Sequence, residues 1–277
     1  MDRFTRRLPV CLIAVLLVLA LTAATGGWLH RSIIGSRQRE AENILFYYSE
    51  KILLQMQGTM NEAGALAKTA YAMEKGQADP SDWFEHAAGP LLERDEVCMA
   101  YLFEGDILTG ALPEDRFGNL VGRELQDFSY IYTMAKVVKD LVVEGPVVLA
   151  DDPQQQEVFL FLQPIVEKDA YLGQVAVALD RDYVLGQLGL NDLYTQGYDY
   201  ELWRVEPQDG NKEVIANSRA DVDFSLAQKT VFYLPTQWTL SIQPTAGWLS
   251  AAQWVSLILI CMLEAAALLA LSFLLCT

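Results

Sequence analysis

Residues 144–183, EGPVVLADDPQQQEVFLFLQPIVEKDAYLGQVAVALDRDY, decide the fold class. Glu144-Gly145-Pro146 reads as a helix stop, because Gly tolerates left-handed backbone and Pro has no N–H to continue a helix. Val147 to Leu149 is then a short extended run, closed by a turn at Asp151-Asp152-Pro153. Val158 to Leu162 (VFLFL) is apolar at every position, which predicts a strand buried on both faces. Gln163 interrupts that run with an amide, and Pro164 restricts the backbone around it. After a turn at Lys168-Asp169, Val175, Val177 and Leu179 alternate with Gln174, Ala176 and Ala178 in a second strand. Asp180 is placed to cap the following helix, its carboxylate accepting from first-turn N–H groups.

Upstream, Ser32 to Glu74 predicts one long helix of about 60 Å at 1.5 Å per residue. Ile44, Tyr48, Ile52, Met56, Met60 and Ala63 recur every three or four residues on one face. Such a helix is a stalk leaving the first span and packing along the domain or against another copy, or, in its second half, an ordinary core helix. Asp79-Pro80-Ser81-Asp82 predicts a cap for a helix through Leu92. A hairpin joins Val97–Phe103 to Asp106–Leu108 across Glu104-Gly105, 113–122 is loop, and 126–143 is helical by pattern. Downstream, Tyr200, Leu202, Trp203 and Val205 form a strand, Asp209-Gly210-Asn211 turns, and Glu213 to Ala216 returns. Val231 to Leu234 and Thr239 to Ile242 complete a second small sheet.

The chain has 277 residues, 52% of them hydrophobic, with a mean hydropathy of +0.17. Two end segments account for that excess. Leu8 to Leu29 carries no charge and is long enough to span a bilayer. The competing reading is a cleaved signal peptide with Thr22-Ala23-Ala24 at its processing site. Ala251 to Leu275 carries only Glu264 as a charge, and Trp248 and Trp254 sit where interfacial anchors belong. The net charge is −16, yet residues 1–39 hold six Arg against one Asp, so everything beyond is strongly acidic. A surface of that sign repels phosphate backbones and excludes nucleic-acid binding. Of the four cysteines only Cys98 lies between the apolar ends, so no disulfide forms there and a buried, inert thiol is expected.

The search for catalytic chemistry is negative. His30 and His86 are the only histidines, and no nucleophile elbow, P-loop or dinucleotide fingerprint occurs. Asp151-Asp152 and Glu114-Asp115, beside Pro, read as turn formers rather than catalytic or calcium-binding pairs. Glu264 differs, because a carboxylate in a span is costly without a partner. Its expected partner is the same span of a second copy.

Gly-Pro-Val-x-Leu at 145–149, Phe-Leu-Gln-Pro-Ile at 161–165, GQVAVALD at 173–180, GYDYELWRV at 197–205, Trp238 to Gln243 and Pro-x-x-Gly-Trp at 244–248 together resemble the CHASE domain. That family of extracytoplasmic sensors is joined to bacterial diguanylate cyclases and sensor histidine kinases, and the similarity covers about Ile33 to Trp248. The expected fold is α+β: a long N-terminal helix with two PAS-like α/β units, flanked by two transmembrane helices. The expected divisions are a tip and first span over 1–29, a stalk helix over 30–78, a membrane-distal unit over 79–192, a membrane-proximal unit over 193–248 and a second span over 249–277. The resemblance implies a multi-pass protein of the bacterial cytoplasmic membrane whose exported, non-enzymatic domain binds a small ligand and signals as a homodimer, with no cofactor. The output domain usual in the family, with its GGDEF motif or kinase histidine, does not occur before Thr277. The residues themselves place the ligand between a sheet bearing Tyr101, Phe103, Phe159, Phe161 and Gln163 and a helix or loop bearing Asp127 and Tyr130. Two other classes stay open: a bitopic scaffold that binds protein through its acidic domain, and an exported hydrolase, which the missing nucleophile–base pair disfavours.

Overall fold

The structure, a computed structural model, describes residues 2–76, 83–149, 152, 154–206, 210–233 and 237–276. Helix α1 (Asp2–Glu74) runs unbroken for 73 residues, about 110 Å at 1.5 Å per residue, so the expected span and stalk are one rod. Helix α2 (Trp83–Leu92) follows, and the cap expected at 79–82 lies outside the described residues. Five antiparallel strands then build the first sheet: β1 (Val97–Glu104), β2 (Ile107–Leu112), β3 (Val142–Val148), β4 (Glu157–Glu167) and β5 (Ala170–Asp180), in the order β2-β1-β5-β4-β3. Between β2 and β3 come α3 (Glu114–Phe117), two short 3-10 turns and α4 (Tyr130–Val138). After β5, α5 (Arg181–Leu188) is capped as expected, with Asp180 Oδ1 accepting from the Tyr183 N–H at 2.7 Å. Helix α6 (Asn191–Thr195) leads to the second sheet, β6 (Tyr198–Val205), β7 (Lys212–Asn217), β8 (Gln228–Tyr233) and β9 (Gln237–Pro244), ordered β7-β6-β9-β8. Helix α7 (Ala251–Cys276) closes the chain. Asp209 of the expected β6–β7 turn is outside the described residues; Gly210, at φ 72°, donates back to Glu206 O.

Two local expectations fail. The segment read as loop over 113–122 holds α3 and a 3-10 turn at Gly118–Leu120. The helix read over 126–143 ends at Val138, where Lys139 takes a left-handed conformation at φ 58°, and Val142 and Val143 already pair with Leu162 and Phe161. Glu144-Gly145-Pro146 is therefore not a helix stop but the middle of β3. Four valines favour extended backbone there, and an edge strand with an irregular register between Glu144 and Val147 tolerates a proline.

Both faces of the first sheet are buried, as the VFLFL run predicts. Phe159, Phe161, Val175, Val177 and Leu179 face α1, in one core with Leu45, Tyr48, Ile52 and Met56 of that helix. The inner face of the second sheet, Tyr200, Leu202, Trp238, Leu240 and Ile242, joins the same core, and Phe159 meets Trp238 at 5.6 Å between ring centroids. The α1 stripe is thus covered by the chain's own sheets and is not free for pairing between copies. Val158, Leu160, Leu162, Ala176 and Ala178 point the other way, into a smaller core roofed by α4 and the 113–128 segment. Cys98 is buried in that core, and burial pushes its thiol up to about 11, an inert state.

Helices α1 and α7 each hold a segment long and apolar enough to cross a membrane, and they pack together along it. The Thr25 hydroxyl lies 3.0 Å from Glu264 Oε1, and a Cβ at Gly26 would sit 3.0 Å from Cys261 Sγ, so small residues let the helices approach closely. Glu264 thus has a partner within its own chain, in Thr25, while its Oε2 has no hydrogen-bond partner among the described residues. Just beyond, Arg37 Nη1 donates to Gly247 O at 3.3 Å, tying α1 to the connector between β9 and α7.

Gly145 sets the course of β3. Its φ is 144°, and a Cβ there would lie 2.8 Å from Val158 O and 2.9 Å from Phe159 Cα. We expect Gly145→Ala to lower stability by about 2–4 kcal/mol, since it combines backbone strain with a clash that only moving β4 relieves. A thermal midpoint unchanged from wild type would contradict this placement of β3.

A candidate ligand cleft between the two sheets

The alternation along β6 sends Tyr200, Leu202 and Arg204 inward together, so a guanidinium stands at the end of an apolar face beside Trp238, its cross-strand neighbour. Arg204 is 2% exposed and Glu144, reaching it from β3, is 3% exposed. Arg204 Nη2 bonds Glu144 Oε1, and Nε donates to Glu213 Oε2 of β7 at 2.6 Å. Glu206 Oε2 is 3.5 Å from Nη2, while its Oε1 accepts from the Tyr130 hydroxyl at 3.3 Å. Burial raises the Glu144 carboxyl above its ordinary value despite the opposing pull of Arg204. Burial works against the Arg204 charge, but its bonds to Glu144 and Glu213 outweigh that, and its pKa is raised.

These charged groups close one side of a cleft of about 500 Å³, within the range of small-molecule sites. The remaining wall is apolar. Tyr101 of β1, Leu160 of β4, Val147 and Val148 of β3, and Phe128 to Tyr132 at the start of α4 line it. Behind the wall the rings interlock: Tyr101 lies 6.2 Å from Phe128 and 5.5 Å from Phe117, and Phe128 lies 5.2 Å from Tyr132. Interlocking of this kind holds a wall in place without a ligand.

Of the residues expected at the site, the structure brings Tyr101 and Tyr130 to the cleft. Phe103 stands one ring behind, 5.3 Å from Phe128. Asp127 is turned to its own backbone, its Oδ2 accepting from the Glu124 N–H at 3.2 Å. Phe159 and Phe161 project from the opposite face of the sheet into the α1 core, so they cannot share a wall with Tyr101. The reason is the period of two along β4, where Leu160 takes the cleft side. Gln163 lines a separate groove beside Gly64 of α1, its Nε2 donating to Pro164 O at 3.2 Å. Glu144, Arg204, Glu206 and Glu213 were not anticipated. The signal for Arg204 was present, as a charge at an inward position of the alternating run Tyr200-Glu201-Leu202-Trp203-Arg204.

No family model matches the chain, and no curated protein matches it. Solved structures do. It is similar to an extracellular ligand-binding receptor from Desulfohalobium retbaense DSM5692 (TM-score 0.55, 10% identity, covering 73% of this chain and 40% of that one). It is also similar to the sensory domain of the Campylobacter jejuni chemoreceptor Tlp3 (CcmL) (TM-score 0.53, 11% identity, 79% and 97%). A third is the ligand-binding domain of the Pseudomonas aeruginosa PAO1 amino acid chemoreceptor PctC in complex with GABA (TM-score 0.51, 15% identity, 74% and 98%). The fold is therefore that of extracellular ligand-binding sensor domains of bacterial receptors, a coarser relation than the CHASE resemblance.

Asp152, expected as a turn former, anchors the outer wall. Its carboxylate accepts from Arg116 Nε at 2.7 Å and Nη2 at 2.5 Å and from the N–H groups of Gln154 and Gln156, while its own N–H donates to Leu149 O. Burial opposes its charge, but Arg116 and the two N–H groups prevail and lower its pKa below the ordinary aspartate value. A lowered carboxylate contributes stability that is present above its unfolded value and lost as pH falls through the folded one. We expect Asp152→Asn to cost about 2 kcal/mol at neutral pH. The gap from wild type should stay constant above about pH 4 and close in more acidic solution. A gap that is absent at neutral pH, or that widens on acidification, would contradict the assignment.

Proposed function

We propose that this chain is the ligand-sensing part of a bacterial membrane receptor and that the cleft between the sheets holds its small organic ligand. The observation that carries the reading is a preformed aromatic cleft closed by buried charged groups, in a fold of the kind found in extracellular ligand-binding domains. GABA in the PctC domain, and L-valine and isoleucine in Tlp3, are of a size such a cleft takes. The first sheet is then the membrane-distal unit and the second the membrane-proximal one. Helices α1 and α7 cross the membrane with both termini cytoplasmic. No enzymatic step belongs to this part, and the CHASE resemblance and an output through a cyclase or kinase are part of the same proposal. Pairing of two copies is assigned to the face of α1 that bears Phe46, Tyr47 and Leu54, which are exposed. The same face would serve a scaffold, but a scaffold has no use for an organised cleft.

The test is thermal unfolding of the full chain in detergent micelles against a library of amino acids, amines and short carboxylates. A ligand at one hundred times its Kd adds about 2.7 kcal/mol to stability and raises the midpoint. Tyr130→Ala, at a half-exposed wall position, should abolish the rise, whereas Gln163→Ala in the separate groove should leave it intact. A rise abolished by Gln163→Ala and kept in Tyr130→Ala would move the site to that groove.

A further inference from the structure

The charge of the cleft says which ligand it accepts. Among the described residues its lining carries three carboxylates, Glu144, Glu206 and Glu213, against one guanidinium, Arg204. All three carboxylates already turn toward that guanidinium. A ligand carboxylate would therefore approach a pole with an excess of two negative charges, in a place where burial weakens solvent screening. Glu144 Oε2, buried and on the cleft lining, has no hydrogen-bond partner among the described residues. An acceptor in that state lacks a donor, and an ammonium group is the donor that also corrects the charge.

We propose that the cleft is a site for an organic ammonium ion with an apolar body, whose nitrogen sits among Glu144, Glu206 and Glu213. The proposal rests on the reading of the cleft as the ligand site. The aromatic wall suits the same ligand, since Phe128 and Tyr132 line the cleft and offer its body an apolar surface. Arg204 Nη1, also without a partner, is left to a neutral oxygen of the ligand, because the carboxylates around it already satisfy its charge. The net charge of −16 raises the local concentration of such a cation. The geometry has a further consequence. Glu144 belongs to the first sheet, and Glu206 and Glu213 to the hairpin of the second, so one ammonium bridges both sheets. The second sheet then reads the ligand directly, and β9 carries the change to α7.

The experiment uses the full chain in detergent micelles at neutral pH and two pairs of probes that differ only in the head group. Phenethylamine is set against hydrocinnamate and isoamylamine against isocaproate, with phenylalanine as the zwitterion; thermal shift and calorimetric titration give the affinities. We expect both amines to bind at least tenfold more tightly than their carboxylate counterparts and than phenylalanine. Glu206→Gln, which keeps an acceptor for Tyr130 and leaves the buried Glu144–Arg204 pair alone, should weaken the amines about tenfold. A carboxylate or zwitterion that binds as well, and whose binding Tyr130→Ala abolishes, overturns the ammonium assignment and leaves the cleft as the site. Amine binding that survives both Glu206→Gln and Tyr130→Ala overturns the assignment and the site together. Absence of binding by either amine also overturns the assignment.

Discussion

A guanidinium buried as fully as Arg204 is tolerated only where carboxylates and hydrogen bonds replace the water it has lost, since an unpaired buried charge costs several kcal/mol. That requirement fixes three parts of the chain at once. β3 must deliver Glu144 and the β6–β7 hairpin must hold Glu213 and Glu206, and Tyr130 at the start of α4 is drawn in through Glu206. The two sheets already share the apolar core on α1, but apolar contact sets no unique register between them. The ion cluster does, and the cleft is the space left between its charged side and the aromatic wall of the first sheet. An ion cluster of this kind adds little net stability compared with apolar packing; its role in this fold is to specify geometry.

The two faces of the first sheet divide the work. One face packs α1 and the second sheet into one core, and the Gly247 connector, held by Arg37, links β9 to α7. The other face carries the smaller aromatic core and opens into the cleft. Thr25 and Glu264 then join the two apolar helices within one chain, where a hydrogen bond between helices contributes about 0.6–2 kcal/mol. A coupling of that size biases the packing of the helices without locking it.

Much of the fold was legible in the sequence because period and punctuation are local. The VFLFL run, the alternation in β5, the Asp180 cap and the α1 stripe each follow from a few neighbouring residues, and the structure contains all four. The helix read over 126–143 was misjudged because Val142 and Val143 fit a helical pattern locally, while their pairing with Leu162 and Phe161 is a tertiary fact. The site was less legible. Tyr101 and Tyr130, sought as aromatics near a sheet, line the candidate cleft, but the same search gathered Phe159 and Phe161 from the opposite face, which the period of two along β4 separates from Leu160. Glu144, Glu206 and Glu213 carry no signal of their own in so acidic a chain. They acquire meaning only through Arg204, whose inward position in β6 was readable and whose partners, from another sheet, were not.

The most direct test of the account is a double-mutant cycle across the joint between the sheets, with Glu144→Gln, Arg204→Met and the pair of changes together. Urea unfolding of the full chain in detergent micelles, followed by tryptophan fluorescence, gives the three stability changes. Arg204→Met strands the buried Glu144 carboxylate and Glu144→Gln takes from the guanidinium its most deeply buried partner, so each should cost about 3 kcal/mol, whereas the double change removes both groups and should cost no more than one single. The predicted coupling is therefore at least about 3 kcal/mol. If the two single costs simply add, Glu144 and Arg204 do not hold the sheets together, and the cleft they frame is not a defined site.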